Sequence, residues 1–207
     1  MFTVVYLTGK PERGSTILRC LNYIKYWPEA ELANSEKSYD VLINQKSPDS
    51  LYFTLEAKLK VLDLCDLSYS YNERQKLYKT SDIITCSASG LEQEIKKETD
   101  RPIYKIPDRH DLSQFKVKKE HTGPPKMVIW FGSSKWFDIT EKWHPVINSA
   151  KLQFKVISDI ECFTCDKWVK WDWNTVYQEI IEADIAINPP FNHMKIEQKK
   201  VNFMDDR

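Results

Sequence analysis

The sequence predicts an α/β protein of two Rossmann-like halves, each a parallel sheet covered by helices, with the second half shortened. Three observations support this. Short apolar runs rich in Val, Ile and Leu alternate with amphipathic runs along most of the 207 residues, the pattern of buried strands feeding covering helices. A polar stretch ending in Gly123-Pro124-Pro125 separates two such series. The second series offers about four strands and the first about five, whereas a doubly wound domain uses about five or six.

In order, FTVVYLTG is a β-branched strand bounded by Gly9. STILRCLNYIKYW follows as a helix, with Ile17, Leu21 and Ile24 on one face and Ser15 as its expected cap. YDVLINQK, LKVLDLCDL and DIITCSAS are buried strands, the first ended by the turn pair Pro48-Asp49. Ser89-Gly-Leu-Glu92 has the spacing of a capping box and opens a helix that stacks Leu91 on Ile95. PIYKIPD closes the first domain, residues 1–107, and residues 108–125 form the interdomain linker. The second domain, 126–207, starts with the strand KMVIWFGSS. Asp138-Ile-Thr-Glu141 repeats the capping-box spacing, and Pro145 is expected to start or kink the helix there. LQFKVISD and VKWDW are strands, NTVYQEIIEA a helix capped by Asn174, and DIAINPP the last strand. FNHMKIEQKKVNF begins a helix that stops at once, so the domain is expected to be incomplete, because the chain is naturally short, is a fragment or is completed by a partner.

Thirty basic residues balance thirty acidic ones, so no global field draws the chain to nucleic acid or an anionic membrane. No apolar run approaches the roughly 18 residues of a membrane helix, and the first strand breaks too early for a signal peptide. Five cysteines in irregular spacing suggest a reducing compartment, and the cytoplasm is the expected location. Cys162-x-x-Cys165 lacks a second ligand pair for zinc and is expected to be structural. His121, His144 and His193 have no partner at metal spacing, and no metal site is expected.

Several segments resemble, in order, the GT-B fold glycosyltransferases, in particular the retaining group that includes family 4. Ile106-Pro107-Asp108-Arg109-His110-Asp111-Leu112-Ser113-Gln114-Phe115 is similar to that group's I-P-[ND]-G-[VI]-D-x-x-x-F segment. Pro107, Asp108, Asp111 and Phe115 match it, whereas Arg109 replaces the usual Gly and His110 a small aliphatic residue. YDVLINQK, LKVLDLCDL and SDIITCSASGLEQEIKK resemble the family's first-domain strands. VYQEIIEADIAINPP resembles the helix and strand before its donor-phosphate region. The departures are Ile196, where the family's Lys-Ser-x-x-Arg/Lys set has Ser, and the missing final β/α units. The resemblance implies a GT-B type fold and metal-independent transfer of a sugar from a UDP- or GDP-linked donor to a glycan or lipid-linked acceptor. The nucleotide sugar is a co-substrate, and no cofactor is implied.

In open α/β sheets ligands bind beyond the carboxyl ends of the strands. Gly132, Ser133 and Ser134 follow the first strand of the second domain and can offer N–H and hydroxyl donors to phosphate. Trp171 and Trp173 flank Asp172 at a strand end, and Trp173 is the expected stacking face for a base. Lys195 and Lys199, at i and i+4, fill part of the family's phosphate-binding set; Lys195 would neutralise the leaving diphosphate. Gly14, Ser15 and Arg19 occupy the loop and helix start of the first half, where in the family the loop faces the cleft near the acceptor and the donor phosphate. Asp63, Asp66, Asp108, His110 and Asp111 are the candidate bases, and Asp66 is taken with Lys195 as the catalytic pair. The alternative is a degenerate GT-B module that binds nucleotide or assembles with a partner without catalysis. A dinucleotide-dependent enzyme is disfavoured because no G-x-G-x-x-G follows the first strand. Apolar residues left by the short second half, Ile185, Ile187 and Phe203, suggest a homodimer.

Overall fold

The computed structural model describes residues 3–8, 14–34, 38–45, 47, 50–108, 113 and 120–187. Two compact units divide between Asp111 and Leu112, and each is an α/β unit with an all-parallel sheet. The tail 191–207, with Lys195, Lys199 and Phe203, lies outside the described residues, as do Arg109, His110 and Asp111.

The first unit contains β1 (Val4–Thr8), β2 (Ala30–Leu32), β3 (Tyr39–Gln45), β4 (Ala57–Leu64), β5 (Ile83–Cys86) and β6 (Ile103–Lys105). They pair in the order β2-β1-β3-β4-β5-β6. The short edge strand β2 is additional to the five expected. The chain moves from β1 to β2 on one side and then crosses to β3 on the other, so β1 and β3 flank a topological switch point. A continuous helical run follows β1: α1 (Gly14–Thr16), a π-helical segment (Ile17–Leu21) and α2 (Asn22–Tyr26). Ser15 lies inside this run and is not its cap, because Gly14 already has helical geometry.

Strand alternation separates two cores. Val5, Leu7, Leu42, Leu62, Leu64, Ile84 and Cys86 face α3 (Leu51–Thr54), α4 (Tyr71–Thr80) and α5 (Ser89–Lys96). Val4 and Tyr6 share the opposite core with Cys20 and Ala30, beside Val41 and Ile43. The capping box of this unit is at Ser70, not Ser89. Ser70 Oγ accepts from the Glu73 N–H, and Glu73 accepts from the Ser70 N–H. Ser89 is already helical because Ala88, with extended φ −145° and ψ 153°, is the N-cap. The Ser89 hydroxyl instead accepts from Lys105 Nζ at 2.9 Å.

The second unit contains β7 (Met127–Phe131), β8 (Gln153–Ser158), β9 (Lys167–Lys170) and β10 (Ile185–Ala186), paired β10-β7-β8-β9. A 3-10 turn (Ser134–Trp136) leads into α6 (Phe137–Ser149), and α7 (Val176–Glu182) precedes β10. Asp138 and Glu141 lie within α6, whose N-cap is Trp136, so no capping box forms there. Pro145 lies inside α6 and does not start it. Asn174 does not cap α7 either. Thr175 is the N-cap, and the Asn174 N–H and side-chain amide both donate to Asp172 Oδ1. The strand expected at VKWDW is β9, which ends at Lys170 and leaves Trp171 and Trp173 beyond it. Ile129 and Ile157 pack toward Val176 of α7. On the other face Trp130 meets Phe137 of α6 edge-on, with ring centroids 6.3 Å apart. The switch point of this sheet lies between β7 and β10, the strands on either side of its crossover. Among the described residues no helix is long and apolar enough to cross a membrane.

Candidate ligand-binding sites

Four polar residues lie side by side at the carboxyl end of the first sheet. The register pairs Thr8 with Gln45, Gln45 with Asp63, and Asp63 with Thr85, so one row crosses four neighbouring strands. In-register residues share a face, and this is the face of the run 14–26. Thr8 Oγ1 lies 2.9 Å from Thr16 Oγ1 and donates to Gln45 Oε1 at 3.2 Å. Thr85 Oγ1 donates to Asp63 Oδ1 at 2.6 Å.

Arg19, on the π-helical segment, closes this row from above. Its Nε and Nη2 bind both oxygens of Asp63, at 2.7 and 2.5 Å. Nη1 donates to Asp108 Oδ1 at 2.7 Å and to the Ile106 carbonyl at 2.9 Å. Burial opposes the charged guanidinium. The hydrogen bonds and charge of Asp63, and then of Asp108, outweigh that and hold its pKa above the ordinary arginine value. Arg19 was expected at a helix start facing a ligand. It is instead the buried cation of a cluster with two carboxylates, and it ties the helix to the segment that follows β6. Gly14 and Ser15 are half-buried at the start of the helical run. Asp66 lies just past β4, where its Oδ1 accepts from the Ser68 N–H at 2.9 Å and closes a turn.

The second carboxyl end is built differently. Gly132 lengthens the ladder by donating its N–H to the Ile157 carbonyl at 3.0 Å. A Cβ there would lie 2.8 Å from the Trp130 ring, so close aromatic packing explains this glycine. Ser133 is exposed at the tip of the loop. Ser134 gives both its N–H (2.6 Å) and its hydroxyl (3.1 Å) to Asp159 beyond β8. Burial pushes the Asp159 carboxyl up, but these and other hydrogen bonds outweigh it and leave the pKa below the usual range. Beside the loop, Phe131 lies 6.3 Å from Trp171, and Trp171 meets Trp173 edge-on at 5.2 Å. The two tryptophans also pack against the Ile129–Val176 core, so each serves as both a wall and a ledge. Sequence reasoning did not single out Phe131 or the exposed Lys135. The signal available was their position, at the end of β7 and one residue past the Gly-Ser-Ser loop.

Cys165 Sγ donates to the Cys162 carbonyl at 3.2 Å, and burial pushes its thiol up to about 12. Such a thiol is protonated at neutral pH and a poor nucleophile. Among the described residues no group of three or more His, Cys, Asp or Glu gathers to hold a metal.

No protein-family model matches the chain, and no curated protein does. Among solved structures it is similar to one titled "Glycosylation Associate Protein (Gap123) complex from Streptococcus agalactiae", at 10% identity and a TM-score of 0.42. The match covers 81% of this chain and 40% of the other.

Proposed function

We propose that the chain is a nucleotide-sugar-dependent glycosyltransferase that uses a UDP- or GDP-linked donor and a glycan or lipid-linked acceptor. The carrying observation is the aromatic ledge of Phe131, Trp171 and Trp173 beside the Gly132-Ser133-Ser134 loop. Together they put a stacking surface and the exposed Ser133 at one sheet end. The base would stack on the ledge, chiefly on Trp173, and the diphosphate would lie along Ser133, Ser134 and Lys135. Lys195 and Lys199 are proposed as the further cations of this site. Negative charge grows on the departing diphosphate during transfer, so Lys195 would act mainly in the transition state. Asp66 is the proposed acceptor of the proton released by the attacking hydroxyl.

One observation favours a second reading, a nucleotide-binding module without catalysis. Asp159 already occupies the N–H and hydroxyl of Ser134, and its charge opposes a diphosphate there. Calorimetry with UDP, GDP and ADP and their sugars, followed by an assay for released nucleoside diphosphate, separates the two. Binding with turnover is expected, and Trp173→Ala should cost about 1–3 kcal/mol of affinity, the value of one base stacked on an aromatic ring. Binding without turnover selects the module. Absence of binding to every nucleotide overturns both readings.

A further inference from the structure

Gln45 ends β3 at the β1/β3 switch point, is 1% exposed, and its Nε2 has no hydrogen-bond partner among the described residues. A buried donor left unpaired costs about 1–3 kcal/mol, and native structures rarely retain one without a ligand, water or functional reason. The amide head lies where a ligand would be met. Its Oε1 accepts from Thr8 and lies 3.5 Å from Thr16 Oγ1, in the first turn of the helical run after β1. Thr8, paired with Gln45 in register, and Gly14 and Ser15, just before Thr16, are half-buried and so partly reach solvent.

The chemistry of the crevice selects its ligand. Nε2 can only donate, so the incoming atom must be an oxygen that accepts. Each threonine hydroxyl has one proton. If Thr16 donates to Thr8 and Thr8 to Gln45, the Thr16 oxygen keeps a lone pair that can accept. A hydroxyl meets both demands with one oxygen, accepting from Gln45 and donating to Thr16. The neighbouring charge points the same way. Asp63 sits beside Gln45 in register, and the cluster holds two carboxylates, Asp63 and Asp108, against the single cation Arg19. A phosphate or carboxylate placed there would face net negative charge, and a carboxylate could donate nothing.

We infer that the β1/β3 crevice of the first unit binds an uncharged, hydroxyl-bearing ligand such as a sugar, with Gln45 Nε2 as donor and Thr16 as acceptor. This deepens the reading above by giving an acceptor sugar its place, and the two can fail separately. The donor reading is tested with nucleotides and the tryptophans, this one with sugars and Gln45.

The test is an NMR titration of the Gln45 side-chain amide in the full chain with methyl glucoside, methyl mannoside and inorganic phosphate. At least one glycoside is expected to shift that resonance and saturate at millimolar concentration, while phosphate leaves it unmoved. Gln45→Met, similar in shape but without the donor, should abolish glycoside binding and leave nucleoside diphosphate binding unchanged. Thr16→Val should weaken glycoside binding about tenfold, the equivalent of one hydrogen bond. A shift with phosphate and none with the glycosides overturns the proposal, as does a resonance that no probe moves. The wild-type titration decides even if neither variant folds.

Discussion

At the carboxyl end of the first sheet Arg19 is 4% exposed and bound by two carboxylates and a carbonyl. At the carboxyl end of the second sheet Phe131 is 41% exposed and faces a tryptophan. Each unit also has a buried cation between two acids, but with different exposure. Asp63 and Asp108 are 6% and 18% exposed, whereas Glu179 and Glu182, the partners of Lys155, are 23% and 46% exposed. The same parallel-sheet topology thus carries a closed ionic lock in one unit and an open aromatic surface in the other. Sheet order sets where the polar and aromatic side chains gather. The side chains then decide whether the place is rigid or receptive.

Removing each cation tests this contrast. Arg19→Met should destabilise the first unit by about 3–5 kcal/mol, because it strands the buried Asp63 and the half-buried Asp108. Urea unfolding measures this, and Asp108→Asn serves as the milder variant if Arg19→Met does not fold. A loss under about 1 kcal/mol for Arg19→Met would mean that water reaches Asp63 and Asp108 and that the lock is not closed. Lys155→Met should cost less, about 1–3 kcal/mol, because Glu179 and Glu182 can turn to solvent. An equal or larger loss than for Arg19→Met would remove the distinction between the units.

The smallest effect concerns the peripheral pair Arg74–Glu98 of the first unit. Arg74 grips both oxygens of Glu98, and Tyr78 donates a third hydrogen bond. These hydrogen bonds, Arg74's foremost, hold the Glu98 pKa below the ordinary carboxylate value against the effect of burial. A carboxyl with a depressed folded-state pKa contributes stability above its unfolded pKa, about 4.3, and loses that contribution as pH falls through the lower folded value. Glu98→Gln should therefore cost about 1 kcal/mol at pH 7, and the gap to wild type should close below about pH 4. A gap that persists into acid would mean that shape, not charge, is what the substitution removes.

Much of the fold was legible because strand alternation and apolar runs are local signals. Val4 to Thr8, Tyr39 to Gln45 and Met127 to Phe131 each form the strand their pattern predicts. The helix starts were not. Ser70-x-x-Glu73, Ser89-x-x-Glu92 and Asp138-x-x-Glu141 have the same acid spacing, but only in the first is the leading residue itself the extended N-cap. The backbone angle that decides this is set by where the preceding strand ends, and the four letters do not record it. Asp63, Asp108 and Arg19 were each singled out, for different tasks, but their convergence spans 44 and 89 residues. No local pattern encodes a contact at that range. Gln45 escaped notice for the opposite reason: a polar residue ending an apolar strand looks like a boundary, and only the register shows it in a row with Thr8 and Asp63.

The π-helical segment at Ile17–Leu21 has a consequence for how this helix tolerates changes in length. A π turn closes its hydrogen bonds over five residues instead of four, so it holds one residue more than an α-helical path needs. Deleting a residue within 17–21 could leave an unbroken α-helix, with no hydrogen bond lost from the ladder. Yet each residue turns an α-helix by about 100°, so Thr16 and Arg19 could no longer face Gln45 and Asp63 together. The segment works as a phase adjuster: the surplus residue sets the angle between the crevice and the lock, and a helix of ordinary pitch would have to give up one to keep the other.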